Sequence, residues 1–110
     1  MAGAKGAELV FVVDVSSFTK AGFVGTTEYE GRKVDLEFDD GVDGVFLSPE
    51  MASRLGVGKG SSVLVTVEND ANLVSRAAVA GVGKALRLSD ARVYYAVGRE
   101  GGAVIRVTNE

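Results

Sequence analysis

The sequence predicts a mainly β fold: a small closed barrel of six to seven strands with one or two short helices, forming a single domain over residues 1–110. Three observations predict it. Valine-rich segments alternate apolar and polar residues with period two. Fifteen glycines and one proline cut the chain into short pieces. Only one stretch has a complete set of helix start and stop signals.

The first seven residues, MAGAKGA, are expected to form a flexible tail. ELVFVVDV, from Glu8 to Val15, is rich in Val and Phe and too short for a globular helix, so it predicts a buried strand. AGFVGTTEYEG predicts a second strand or a wide turn. In RKVDLEF, Val34, Leu36 and Phe38 alternate with Lys33, Asp35 and Glu37, the pattern of a half-buried strand with its aliphatic face inward.

The period then changes. Ser48 is a natural N-cap, Pro49 has its φ preset for the first helical position, and Glu50 complements the positive end of the helix dipole. Met51, Ala52 and Leu55 share one face, and Gly56 supplies a left-handed stop. A two-turn helix ending at Leu55 is predicted.

SSVLVTVEN follows as a strand with Val63, Val65 and Val67 on one side. Asn69 to Asn72 carry turn chemistry and predict a projecting hairpin tip. LVSRAAVAGVG, KALRL, ARVYYAV and AVIRVTN complete the chain as short β segments. ARVYYAV has the position of a second helix, but its two Tyr and two Val favour a strand. In that case Tyr94 and Tyr95 would face opposite sides. Overlaying Val45–Asn69 on Leu86–Glu110 at an offset of 41 pairs Leu47 with Leu88, Ser48 with Ser89, Gly60 with Gly101 and Val63 with Val104. The repeated order of strand, Ser, compact element, Gly turn and strand predicts a pseudo-twofold barrel.

Composition removes whole classes of chemistry. Without Cys there is no disulfide framework, thiolate metal site or cysteine nucleophile. Without His, the commonest general base and metal ligand is missing. No metal site and no cofactor are expected. The formal charge of −3 disfavours nucleic acid over the whole surface, although twelve Lys and Arg leave room for a local basic face. The longest apolar run, Leu9–Val13, is far too short to span a membrane. No secretory pattern is present at the N-terminus, which makes the cytoplasm the expected location.

VFLSPEMASRLGVGKGSSVLVTVE resembles the repeat unit of cradle-loop barrels, the group containing double-psi barrels and swapped-hairpin transition-state regulators. Leu55, Gly56, Val57, Gly60, Val63, Val65 and Val67 carry the resemblance. It implies a double-psi-like barrel and, for the regulators, a dimer presenting Arg to DNA. The overlapping FDDGVDGVFLSPEMASRLGV, within Phe38–Val57, resembles the active-site region of retropepsin-like aspartic peptidases. That resemblance implies Asp39 as the catalytic carboxylate, Gly41 as the tight-turn glycine, ENDAN as the flap tip and a homodimer supplying two copies of Asp39. Asp40 stands where that family has Thr or Ser. An ionised carboxylate there cannot donate a hydrogen bond, and it adds like charge beside an acidic pair.

The residues themselves favour a plainer reading, with Asp39, Asp40 and Asp43 as solvated turn residues between Gly41 and Gly44. The glycine-rich segments fail as phosphate loops, since Gly60 follows Lys59 and Ala85 follows Lys84. ENDAN lacks the Gly and Glu of a calcium loop. Candidates for a partner surface are Arg54, Arg76, Arg87, Arg92, Arg99 and Arg106 with Tyr94 and Tyr95; Arg54, Arg87, Arg92 and Tyr94 are the primary ones. The expected function is a small non-enzymatic binding or assembly module, with a protein partner or self-association. The alternatives are the retropepsin-like peptidase and a dimeric DNA-binding regulator.

Overall fold

A computed structural model describes residues 7–14, 24–29, 31–41, 44–83 and 86–109. The tail expected over residues 1–7 lies outside the described residues except for Ala7, as do Val42 and Asp43. In chain order the elements are β1 (Glu8–Asp14), β2 (Val24–Tyr29), β3 (Arg32–Asp39), β4 (Gly44–Leu47), α1 (Pro49–Leu55), β5 (Ser62–Glu68), β6 (Leu73–Val82), β7 (Leu86–Ser89), α2 (Ala91–Glu100) and β8 (Gly102–Asn109).

The fold is mainly β, and among the described residues it has eight strands, where six or seven are expected, and two short helices. The strand order is β1-β2-β3-β7-β4-β6-β5-β8, and β8 pairs back on β1. β1 matches β8 along its whole length from Glu8↔Thr108 to Asp14↔Gly102, and among the described residues it registers with β2 at Val12↔Glu28.

Period-two alternation sends one face of each long strand inward. Leu9, Phe11 and Val13 from β1, Leu36 and Phe38 from β3, Val63, Val65 and Val67 from β5, and Ile105 and Val107 from β8 are all buried. Each such side chain contributes about 1.5–3 kcal/mol of transfer free energy. On the outer face, Arg106 of β8 bonds Glu68 of β5 and, at 2.7 Å, Glu8 of β1. One cation thus links three adjacent strands, and the nearby Glu68, then Glu8, raise its pKa further.

α1 forms as its signals predict. Ser48 Oγ accepts a hydrogen bond from Met51 N at 3.2 Å, Gly56 takes φ 70°, and Met51, Ala52 and Leu55 are buried. The segment ARVYYAV is not a strand but most of α2. Asp90 caps that helix by accepting from Arg92 N at 2.9 Å and Val93 N at 3.4 Å, and Gly101 closes it at φ 82°. Val93 and Val97, one turn apart, are both buried. β-branched and aromatic residues cost a helix at most about 0.7 kcal/mol each. A cap worth about 1 kcal/mol and two buried valines outweigh that cost.

The repeat appears in the backbone. β4, α1 and β5 are followed in the same order by β7, α2 and β8. Strands β4 and β7 pair antiparallel with Phe46 opposite Arg87, its counterpart at the offset of 41. On the other side of the sheet, β5 and β8 pair through Val65↔Val107 and Thr66↔Arg106, which straddle the same offset. Left-handed positions recur with it: Gly31 at 77° and Asn72 at 50°, Gly60 at 94° and Gly101 at 82°. The halves interleave, because β7 lies parallel to β3 and β4 lies parallel to β6.

This interleaving needs close backbone approach at Gly44, where φ is 101° and an added Cβ would lie 2.4 Å from the Ala78 carbonyl oxygen. Gly44→Ala is expected to destabilise the fold by about 2–4 kcal/mol, from left-handed strain plus the clash. Gly58→Ala, which would meet no atom within 4 Å, should stay within about 0.5 kcal/mol of the parent. Urea denaturation of both variants measures the difference.

Candidate functional site

The acidic corner begins where β3 runs out. Asp39 is the last residue of β3, and its backbone registers with Ser89 of β7. Its side chain and all of Asp43 lie outside the described residues. Asp40 occupies an exposed bend. The Gly41 carbonyl accepts a hydrogen bond from Ala91 N at 3.1 Å, which fastens the corner to the first turn of α2.

A groove of about 380 Å³ opens at this junction, bordered by Gly41, Gly44, Arg76, Ser89, Asp90 and Arg92. Small residues leave its floor open, and cations stand on its rim. The Asp90 carboxylate is engaged within the fold: besides capping α2, its Oδ2 accepts from the Ser75 hydroxyl at 2.9 Å. Arg92 donates from Nη2 to the Val74 carbonyl at 3.3 Å.

The repeat produces a sister groove of about 340 Å³ at the start of α1, bordered by Arg32, Lys33, Asp35, Ser48 and Glu50 above Tyr29, Met51 and Leu86. Arg32 pairs there with Glu50 at 3.5 Å, and both side chains are exposed. Ser48 and Ser89 occupy matching places. Asp35 and Met51 of one groove, however, correspond to Arg76 and Arg92 of the other. The two halves share a frame and differ in charge.

The same correspondence sets Ala80 against Asp39, so the chain carries one acidic corner and not two. Two carboxylates sharing a proton are what an aspartic peptidase needs to activate water. Among the described residues no three His, Cys, Asp or Glu gather where they could hold a metal ion, and no helix is long and apolar enough to cross a membrane.

The candidate partner residues divide among separate elements. Arg54 lies in the last turn of α1. Arg87 sits on β7 with its guanidinium carbon 5.5 Å from the centre of the Phe46 ring. Arg92 and Tyr94 lie together on α2. Because α2 is a helix, Tyr94 and Tyr95 are not on opposite sides; their rings meet edge to face at 5.1 Å. Sequence reasoning missed Asp90, although an Asp just before a short amphipathic run is itself an N-cap signal.

The hairpin tip is also less free than expected. Asn69 Oδ1 accepts from Ala71 N at 2.8 Å, shaping the turn, while its Nδ2 donates to the Ala96 carbonyl at 3.1 Å and the Gly102 carbonyl at 3.0 Å. The β5–β6 turn is therefore tied to α2 and to the start of β8 and does not project as an unattached flap.

No protein-family model matches the chain, and none of the curated proteins or solved structures compared with it is significantly similar.

Asn69→Ala removes the turn bond and both ties together. The expected cost is about 1.5–3 kcal/mol, on the order of two part-buried hydrogen bonds and an exposed one. Hydrogen exchange at Ala71 and Asn72 should accelerate with it, and measuring both in one sample checks the assignment.

Proposed function

We propose that this chain is a small non-enzymatic binding or assembly module built on a cradle-loop, double-psi-like barrel. The observation that carries this reading is the carboxylate of Asp40 beside Asp39, standing where a peptidase's bracing hydroxyl would be. The interleaved pairs β3/β7 and β4/β6 about a pseudo-twofold support the double-psi assignment. The module takes a protein partner or another copy of itself, and the cytoplasm is its proposed location.

The retropepsin-like reading keeps one observation in its favour. Asp39 ends a strand in register with Ser89, next to a tight glycine corner. A second chain would have to bring another Asp39 to the same place, with Asp40 standing where the family's hydroxyl would donate. The tie at Asn69 opposes a freely opening flap. The DNA-binding reading, for its part, needs Arg54, Arg87 and Arg92 to converge, and they lie on α1, β7 and α2.

Incubation with unfolded casein between pH 4 and 6 decides between module and peptidase. The module leaves casein intact, and Asp39→Asn changes nothing. Cleavage by the parent chain that disappears in Asp39→Asn overturns the proposal. Sedimentation of the same sample reports the state of association that a peptidase would require.

A further inference from the structure

Outside the acidic corner, the most complete interaction surface is the outer face of α2. Arg92, Tyr95 and Arg99 fall three and four residues apart, so they form one stripe along the helix. All three are exposed, Tyr95 to 57%. At 1.5 Å per residue the two arginines stand about 10 Å apart along the axis, with the tyrosine between them. Gly98 leaves a hollow of about 360 Å³ bordered by Tyr94, Tyr95 and Arg99.

Two further features enlarge and stiffen this face. Val74, also 57% exposed, adjoins it, because Arg92 bonds its carbonyl. Asn69 fastens the β5–β6 turn to the carbonyls of Ala96 and Gly102, so strand and helix present one rigid surface. Exposed Tyr and Arg on a preorganised frame have the composition of interface hot spots. Among the described residues, neither Arg92 nor Arg99 makes an ion pair.

We propose that the outer face of α2, from Val74 and Arg92 through Tyr95 to Arg99, docks an acidic peptide segment of a partner protein. This deepens the binding-module reading and rests on it. Charge complementarity selects the occupant. An extended polyproline-type segment repeats its face every third residue at 3.1 Å per residue, placing carboxylates three positions apart at about 9 Å. That spacing suits the two arginines, and the intervening apolar residues would lie against Tyr95 and in the hollow beside Gly98. A nucleic-acid strand fits less well. The cationic stripe ends at the exposed Glu100, so a continuous run of phosphates extending past it meets a carboxylate.

Fluorescence anisotropy with a labelled peptide of four Glu-Pro-Pro repeats tests the proposal, alongside its Gln-Pro-Pro and Lys-Pro-Pro counterparts and a thymidylate dodecamer. The Glu peptide should bind saturably. Its affinity should fall at least about tenfold in Arg92→Glu/Arg99→Glu and several-fold in Tyr95→Ala, the losses expected at hot-spot residues. The doubly reversed variant should gain binding to the Lys peptide. Lys33→Glu/Lys59→Glu carries the same change in net charge away from this face, and it should leave binding intact. Circular dichroism verifies folding, and Arg99→Gln replaces Arg99→Glu should the latter melt early. Equal binding of the Gln peptide, equal loss in the lysine control, tighter binding of the oligonucleotide, or no binding of the Glu peptide each overturns the assignment. The casein experiment separates the two levels: without Asp39-dependent cleavage, failure of the peptide to bind removes this surface and leaves the module, whereas such cleavage removes the module itself.

Discussion

Neither half of this chain can bury its apolar strands alone, and the rest of the structure depends on that constraint. β4, from the first half, lies between β6 and β7 of the second, while β7 lies between β3 and β4. Leu47 and Leu88, matched by the repeat, are both buried in the same core. Each unit therefore completes the other's sheet. The tight passage of Gly44 against Ala78 is the local consequence, because a side chain there would push apart strands that must cross closely.

The interleaving also determines where chemistry could occur. Both junctions between a strand end and a helix start open into grooves, one at α1 and one at α2. The frame is common to both, but the side chains have diverged. At α1, cations and carboxylates stand together and Arg32 meets Glu50. At α2, the carboxylate of Asp90 is turned inward to the cap and to Ser75, leaving arginines at the rim. A duplicated fold with unequal grooves suits recognition by one side of the molecule. It suits symmetric acid catalysis within a single chain poorly, since that requires the same carboxylate twice.

α2 connects the fold to the proposed binding role. Its inner face supplies Val93 and Val97 to the core, its first turn holds the acidic corner through Ala91 and Gly41, and its C-terminal half receives the hairpin turn through Asn69. Three sides of the helix environment are thus occupied by the fold. The stripe of Arg92, Tyr95 and Arg99 faces outward, on a support that is already ordered before any partner arrives, which limits the entropy lost on binding.

The sequence alone determined the mainly β class, β1 as a buried strand, the inward faces of β3 and β5, the whole of α1 with its caps, and the offset of the repeat. These depend on local periodicity and on residues with distinctive backbone preferences, such as Ser48, Pro49 and Gly56, which act within a few positions of themselves. Tertiary structure decided what local preference left balanced. ARVYYAV became a helix because the core takes Val93 and Val97 one turn apart and Asp90 satisfies the first amides. The hairpin turn at Asn69 was legible, but its attachment to Ala96 and Gly102 was not, since those partners lie 27 and 33 residues away along the chain. The grouping of Arg92 with Tyr95 and Arg99 was hidden for the same reason: side chains share a face only once the backbone has chosen its period, and here the packed core made that choice.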